Sequence, residues 1–310
     1  MNKPAPKIYR TTNWSSYNRA LINRGNITIW FDPKTQWYAQ PKSKQGRNQT
    51  YSDTAIQCCL MIKSLFRLSL RMVTGFVQSL IKLCGLDWTA PDYSSLSRRQ
   101  KYIDIAISSQ RSCGGLHLLV DSTGLKFLGE GEWKRKKHQP EYRRQWRKLH
   151  IGIDDETLQI RAVQLTTNNV SDSQVLGNLL DQIPLDEQIN SVYTDGAYDT
   201  KLCRQVIADR QAHAVIPPRK NARPWKDSKV HYLERNELLR TVKHLGRTIW
   251  KKWSGYHRRS LVETKMHCIK LLRDKLSARN FQSQVNEIHA RVAVLNKFSE
   301  LGRPHTRVVS

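Results

Sequence analysis

Four side chains in the stretch Ser254–Lys270 have types and spacing suited to handling phosphate: Tyr256, Arg259, Glu263 and Lys270. No Pro interrupts the stretch and no Gly follows Gly255. It therefore reads as a helix whose interior begins near Tyr256 and continues through Leu-Leu-Arg-Asp-Lys-Leu276. At about 100° per residue the four side chains fall within an arc of about 60°. Leu261, Ile269, Leu272 and Leu276 lie on a different face, suited to a core. The polar face presents a carboxylate flanked by two cations and a phenol. A solvated face with i,i+4 pairs such as Arg259–Glu263 has the same composition, so the chemistry depends on what else converges there. Two aspartates stand at the ends of apolar runs, Asp121 after Leu116-His-Leu-Leu-Val and Asp195 after Ile189-Asn-Ser-Val-Tyr-Thr. Three carboxylates are oxygen-only ligands that favour Mg²⁺ or Mn²⁺, and they can hold two ions for an in-line phosphoryl displacement.

The spacing Tyr256, Arg259, Glu263, Lys270 resembles the Y-R-E-K signature of insertion-sequence transposases of the IS4/IS5 type. Asp121-Ser-Thr-Gly and Thr194-Asp195-Gly-Ala-Tyr resemble the first and second aspartate motifs of that group, and the likeness is to the IS5 group, IS903-like, over essentially the whole chain. The resemblance implies a DDE catalytic triad of Asp121, Asp195 and Glu263. It also implies binding of terminal inverted repeats in double-stranded DNA, cutting by water, and attack of the freed 3′-OH on target DNA. A homo-oligomer is implied, because two element ends are handled together. Tyr256 then contacts or orients a phosphate, Arg259 pairs with one bidentately, and Lys270 supplies a point charge. A catalytically silent DNA-binding descendant and a nuclease without strand joining are the competing readings.

The elements that must position these groups follow from apolar periodicity. Leu116–Val120 reads as a buried central strand that delivers Asp121 at its end. His150-Ile-Gly-Ile and Ile160–Thr167 alternate as a hairpin around Asp154-Asp-Glu-Thr. Ser171-Asp-Ser opens a helix closed by Pro184, and a strand leads to Asp195. A helix from Thr200 follows, with Asp199 as a candidate cap, and then a short strand ends at Pro217-Pro218. The order is that of an α/β, RNase H-like mixed five-stranded sheet with flanking helices, with Glu263 on the final helix. It spans residues 114–300, with 301–310 as a tail.

Residues 51–113 read as an all-α, helix-turn-helix-like unit of three helices capped at Ser52 or Asp53, near Ser69, and at Asp92 or Ser94. The third carries Arg98, Arg99 and Lys101 among serines, as a major-groove reading helix would; a plain helical bundle with a basic surface has the same pattern. Residues 1–50 read as a basic arm with little packed core, a short helix near Tyr9–Arg19 and a strand at Ile27–Phe31. Trp133, Lys134, Arg135, Arg143, Arg144 and Arg147 form a second basic cluster, suited to phosphates and unpaired bases.

Charge points the same way. The 310 residues carry a formal net charge of +26, which implies a polyanion partner. No apolar run is long enough to span a membrane, and the first residues lack a secretory h-region. The six cysteines fall in no C-x-x-C pair and read as reduced thiols. The expectation is a cytoplasmic, nucleoid-associated protein.

Overall fold

The computed structural model describes residues 8–41, 48–128, 146–226 and 229–309. Its centre is the strand β2 (Leu116–Phe127), which pairs with β3 (Arg147–Asp154) on one edge and β5 (Ile189–Tyr193) on the other. β4 (Ile160–Thr167) and β6 (His213–Val215) complete the order β4-β3-β2-β5-β6, with β3 antiparallel to both β2 and β4. The sheet counts six strands rather than the expected five, because β7 (Lys275–Leu276) pairs with Lys126 and Phe127 at the end of β2. The order is otherwise that of a DDE or RNase H-like core.

β2 is longer than its apolar run predicts. Asp121 sits inside the strand, opposite Ile151, and not at its end. The polar Asp-Ser-Thr-Gly segment stays extended because β3 supplies ladder partners as far as Leu125. Alternation then decides the faces. Leu116, Leu118 and Val120 pack against α6 (Asp172–Leu180) and α7 (Lys201–Asp209). Leu119, Leu125 and Phe127 pack on the opposite side against α10 (Ser260–Leu272) and α11 (Phe281–Leu301), with Trp250 of α9 (Arg247–Trp253) at the rim. Asp121 and Thr123 share the parity of Leu119, so they face α10.

The helical unit contains α3 (Asp53–Leu65), α4 (Leu70–Leu83) and α5 (Tyr93–Tyr102), capped by Ser52, Ser69 and Asp92. Its core also holds Phe31, Trp37 and two residues of α11, Ala290 and Ala293. The α11 helix therefore belongs to both cores. Asn286 of α11 donates to the Gln100 and Ile103 carbonyls at 2.8 and 2.9 Å, and Gln100 donates to the Ser283 carbonyl at 2.9 Å.

Several expectations are corrected. Residues 8–41 are packed: Trp30, Phe31 and Trp37 are buried, and Trp37 stacks on Trp88 at 4.8 Å. Ile8–Thr11 forms β1, and the first helix, α1, is Trp14–Arg24. Ile27–Trp30 is a short helix, α2, and not a strand; Asn26 caps it, and burying Trp30 and Phe31 outweighs the β-branched composition. Thr306–Val309 is a strand, β8, paired antiparallel with β1. The helix of Glu263 is followed by α11 and is not the last. Asp199 does not cap α7, a role taken by Thr200; its carboxylate pairs with Arg204 at 3.3 Å and with Arg235 of α8 (Val230–Leu245) at 2.9 Å, all buried.

Candidate active site

The local fold around the Tyr-Arg-Glu-Lys stretch departs from a continuous helix. Gly255 takes φ 65°, a left-handed conformation favoured by glycine, and Tyr256–Arg259 forms a 3-10 turn before α10 starts at Ser260. Arg258 pins the turn to the β3–β4 hairpin through Asp155 at 2.6 Å. The helix ends at Leu272, so Leu276 lies in β7 and not on its apolar face. The expected Ile269 is buried on that face together with Val262 and Met266, and Leu261 and Leu272 pack against the same core.

This turn places Arg259 between two of the three candidate carboxylates. Its Nη1 donates to Asp121 Oδ2 at 2.5 Å and its Nη2 to Glu263 Oε1 at 2.6 Å. The two carboxylates thus lie on either side of one guanidinium. Asp195 follows β5 and caps a 3-10 turn, Gly196–Tyr198, its Oδ1 accepting from the Ala197 amide at 2.9 Å. It stands close enough to Asp121 to act on its charge. Burial pushes the Asp121 carboxyl up most; the Ser122 amide and Arg259 pull it back, Asp195 pushes it further, and the net direction is up. For Arg259, burial pulls down, but Asp121, Tyr256 and Glu263 outweigh it and the guanidinium goes up. Burial likewise raises the Tyr256 phenol, so at neutral pH it is protonated and able to donate.

Lys270 lies two turns along α10 and donates to Thr123 Oγ1 of β2 at 2.7 Å. Around Asp195 lie groups that the periodicity did not single out. Arg219 donates to the Gly196 and Ala197 carbonyls at 3.1 and 2.8 Å, fixing the turn behind Asp195. Lys251 stands 5.3 Å from the centre of the Tyr256 ring, and Trp250 packs on the same ring at 5.5 Å. With Arg247 and Lys220, Lys251 and Tyr256 line a basic hollow of about 400 Å³ beside Gly196. The Pro217-Pro218-Arg219-Lys220 run is the sequence signal for this hollow: the prolines end the strand and the two cations follow them beside Gly196.

The remaining candidates are scattered. Arg98 is exposed on α5, and Lys101 lies 5.0 Å from the Tyr102 ring. Arg99 turns inward, donating to the Tyr51 carbonyl at 2.9 Å and pairing with Asp53 at the start of α3. Arg147 stacks over Phe127 at 4.4 Å and Phe281 at 5.1 Å and donates to Gln284 at 2.8 Å, so packing engages it. Trp133, Lys134, Arg135, Arg143 and Arg144 lie outside the described residues.

The donor types fit a hard divalent ion. All three groups are carboxylates, and the repulsion between Asp121 and Asp195 is what a cation between them relieves. Among the described residues, no three His, Cys, Asp or Glu side chains already stand as a ligand group, and Arg259 lies between Asp121 and Glu263. Among the described residues, no helix is long and apolar enough to cross a membrane.

A family profile described as Transposase DDE domain matches residues 112–297, the span that carries all three carboxylates. A second profile with the same description matches residues 22–130. The first alone covers more than half of the chain, and the sheet order agrees with it: the chain belongs to the family of transposases with a DDE domain.

Proposed function

We propose that this chain is an insertion-sequence transposase of the IS5 group, IS903-like, which binds terminal inverted repeats, cuts them and transfers the freed 3′-OH to target DNA. The family is one of DNA-cutting and joining enzymes that generally use divalent metal ions, and its substrates are DNA. The finer reading rests on one observation: Asp121 from the central strand and Glu263 from α10 meet on the same guanidinium, with Asp195 close enough to Asp121 to shift its charge.

In this reading Asp121, Asp195 and Glu263 hold Mg²⁺ or Mn²⁺, with room in chemistry for two ions. A divalent ion held by them would supply the activation of the attacking oxygen and the stabilisation of the leaving 3′ oxygen. The chain's own residues do the rest. Arg259 exchanges its carboxylate partners for phosphate oxygens, where its planar fork gives two parallel bonds. Tyr256 keeps its proton and donates to a phosphate, which counts against a covalent tyrosyl intermediate. Lys270, anchored at Thr123, sets a positive charge beside the strand being cut. The helical unit reads the ends, and two copies act on the two ends of one element.

The test is strand cleavage and joining on a labelled duplex carrying the inverted repeat of the parent element, with Mg²⁺, comparing the native chain with Glu263→Gln. Cutting and joining by the native chain, with end binding kept and cutting lost in the variant, supports the reading. Binding without cutting in either Mg²⁺ or Mn²⁺ makes the chain a silent DNA-binding protein. Cutting with no joined product makes it a nuclease.

A further inference from the structure

A cleft of about 860 Å³ lies between the helical unit and the catalytic core, far from the three carboxylates. One wall is the start of α4 and the exposed side of α5; the other is the segment from Arg273 to Ser283 that joins α10 to α11. Five cations line it (Lys63, Arg71, Arg98, Arg273 and Arg279), and no Asp or Glu does so among the described residues. Lys63 is engaged by Glu287 and Ser277, and Arg71 lies over the Tyr93 ring at 4.4 Å. Arg98 and Arg279 are exposed and make no hydrogen bond or close ion pair among the described residues, although Arg98 acts on the Asp92 carboxylate at the start of α5. The cations also work against one another. Burial lowers the Lys63 ammonium most; Glu287 raises it, while Arg291 and Arg273 lower it further. A cleft with this unbalanced field takes an anion, and cations on both of its walls suit a polyanion.

We propose that this cleft seats the sugar-phosphate backbone of duplex DNA about four to six base pairs from the phosphodiester that is cut. The distance comes from the fold. From Glu263 to Arg273 the chain climbs ten residues, about 15 Å at helical rise. From Asp121 to Phe127 along β2 it runs six residues, about 20 Å. Duplex DNA advances about 3.4 Å per base pair, which converts the two lengths into that window. Both walls of the cleft are held by α11, so the separation is fixed by the fold and does not depend on a flexible linker. The position of the cut phosphate rests on the proposed function; the occupancy of the cleft by DNA does not.

The experiment measures binding of the full chain to a fluorescein-labelled 30-bp duplex ending in the inverted repeat, by anisotropy in EDTA between 50 and 200 mM KCl. In Arg98→Gln/Arg279→Gln the slope of log K against log salt becomes shallower by about two. The fourfold rise in salt then weakens the variant about twelvefold less than the native chain. Arg279→Gln alone lowers the slope by about one. The control Arg240→Gln/Lys243→Gln, at exposed positions of α8 outside the cleft, keeps the native slope. A cleft variant that matches the control overturns the proposal. Single neutral methylphosphonate linkages then map the distance: those four to six base pairs from the cut weaken the native chain and leave the double variant unaffected. A linkage outside that window that weakens the native chain but leaves the double variant unaffected overturns the spacing. Because no step here needs metal, a native chain that never cuts but shows the slope change would sink the transposase reading and leave the cleft standing.

Discussion

Glu287→Ala should destabilise this protein more than any single change at its candidate active site. Glu287 is buried on α11 and accepts from the Ser277 amide at 3.1 and 3.0 Å, the Ser277 hydroxyl at 3.0 Å and the Ala278 amide at 3.0 Å. It also pairs with Arg291 at 2.6 Å and Lys63 at 3.8 Å. Burial pushes its carboxyl up, but Lys63, Arg291 and the two amides outweigh that and hold it below its ordinary value of 4.5. Removing it leaves two buried cations without their counter-charge and two backbone amides without this acceptor, which costs about 3–5 kcal/mol. At about 2 °C per kcal/mol for a chain of this length, Tm falls by roughly 6–10 °C. The linkage sign follows from the lowered carboxyl: its contribution is complete above the ordinary value of 4.5 and is lost as pH falls through the lower folded value. The gap between native and variant should therefore hold at pH 7 and shrink below pH 4.5. Calorimetry at both ends of that range measures it. A Tm drop under about 2 °C at pH 7, or a gap that widens in acid, would refute the reasoning.

Other expectations are as direct. Arg259→Gln removes the guanidinium that neutralises Asp121 and Glu263, worth at least about 1 kcal/mol at their separation even in water; the DNA-free chain should bind Mn²⁺ at least about fivefold more tightly by calorimetric titration, while end cutting falls. His150 is fully buried, and burial pulls its pKa from 6.5 to about 4. A base with a lowered folded pKa loses stability as pH falls from 6.5 towards 4, here by up to about 3 kcal/mol, and urea titrations of His150→Gln should lack that acid limb. Trp37→Ala removes a ring stacked on Trp88 and a bond from its indole Nε1 to the Thr89 carbonyl at 2.8 Å; a loss of about 3–5 kcal/mol is expected, and a loss below 1 kcal/mol would mean that residues 30–37 are not part of the core.

What could be read from the chain was whatever rests on strong periodicity. The apolar runs before Asp121 and Asp195, and the capped helices at Ser52, Ser69 and Asp92, declare themselves because burial and capping act over a few consecutive residues. Local composition misled where a tertiary partner decides. Asp121-Ser-Thr-Gly reads as a strand end but is held extended by β3. Arg98 and Arg99 are adjacent and alike in type, yet only Arg99 meets Asp53, because neighbours on a helix point about 100° apart. The four-residue polar face behaved as periodicity required even though its first turn is 3-10, since a tighter turn keeps i and i+3 on one side.

The α11 helix was the least legible element and the one with the largest consequence. Its buried side carries Gln284, Asn286, Glu287, Arg291 and Asn296, polar groups that blur a 3.6-residue pattern. Each is there to satisfy backbone elsewhere: Asn296 bonds Ile160 of β4, Asn286 bonds the end of α5, and Arg291 donates to the Arg273 and Lys275 carbonyls at 2.6 and 3.1 Å. Such bonds are costly to leave unmade once buried, so they lock α5, the Arg273–Ala278 segment and the sheet to one rod. A helical unit joined only by a linker would let the distance between its DNA contacts and the carboxylates vary. One that shares a buried helix with the core cannot change that distance without breaking these bonds. A duplex with two extra base pairs inserted between the cleft-contacting region and the cut site should therefore be cut two base pairs away from the original position, measured from the end sequence, and not at the original phosphate.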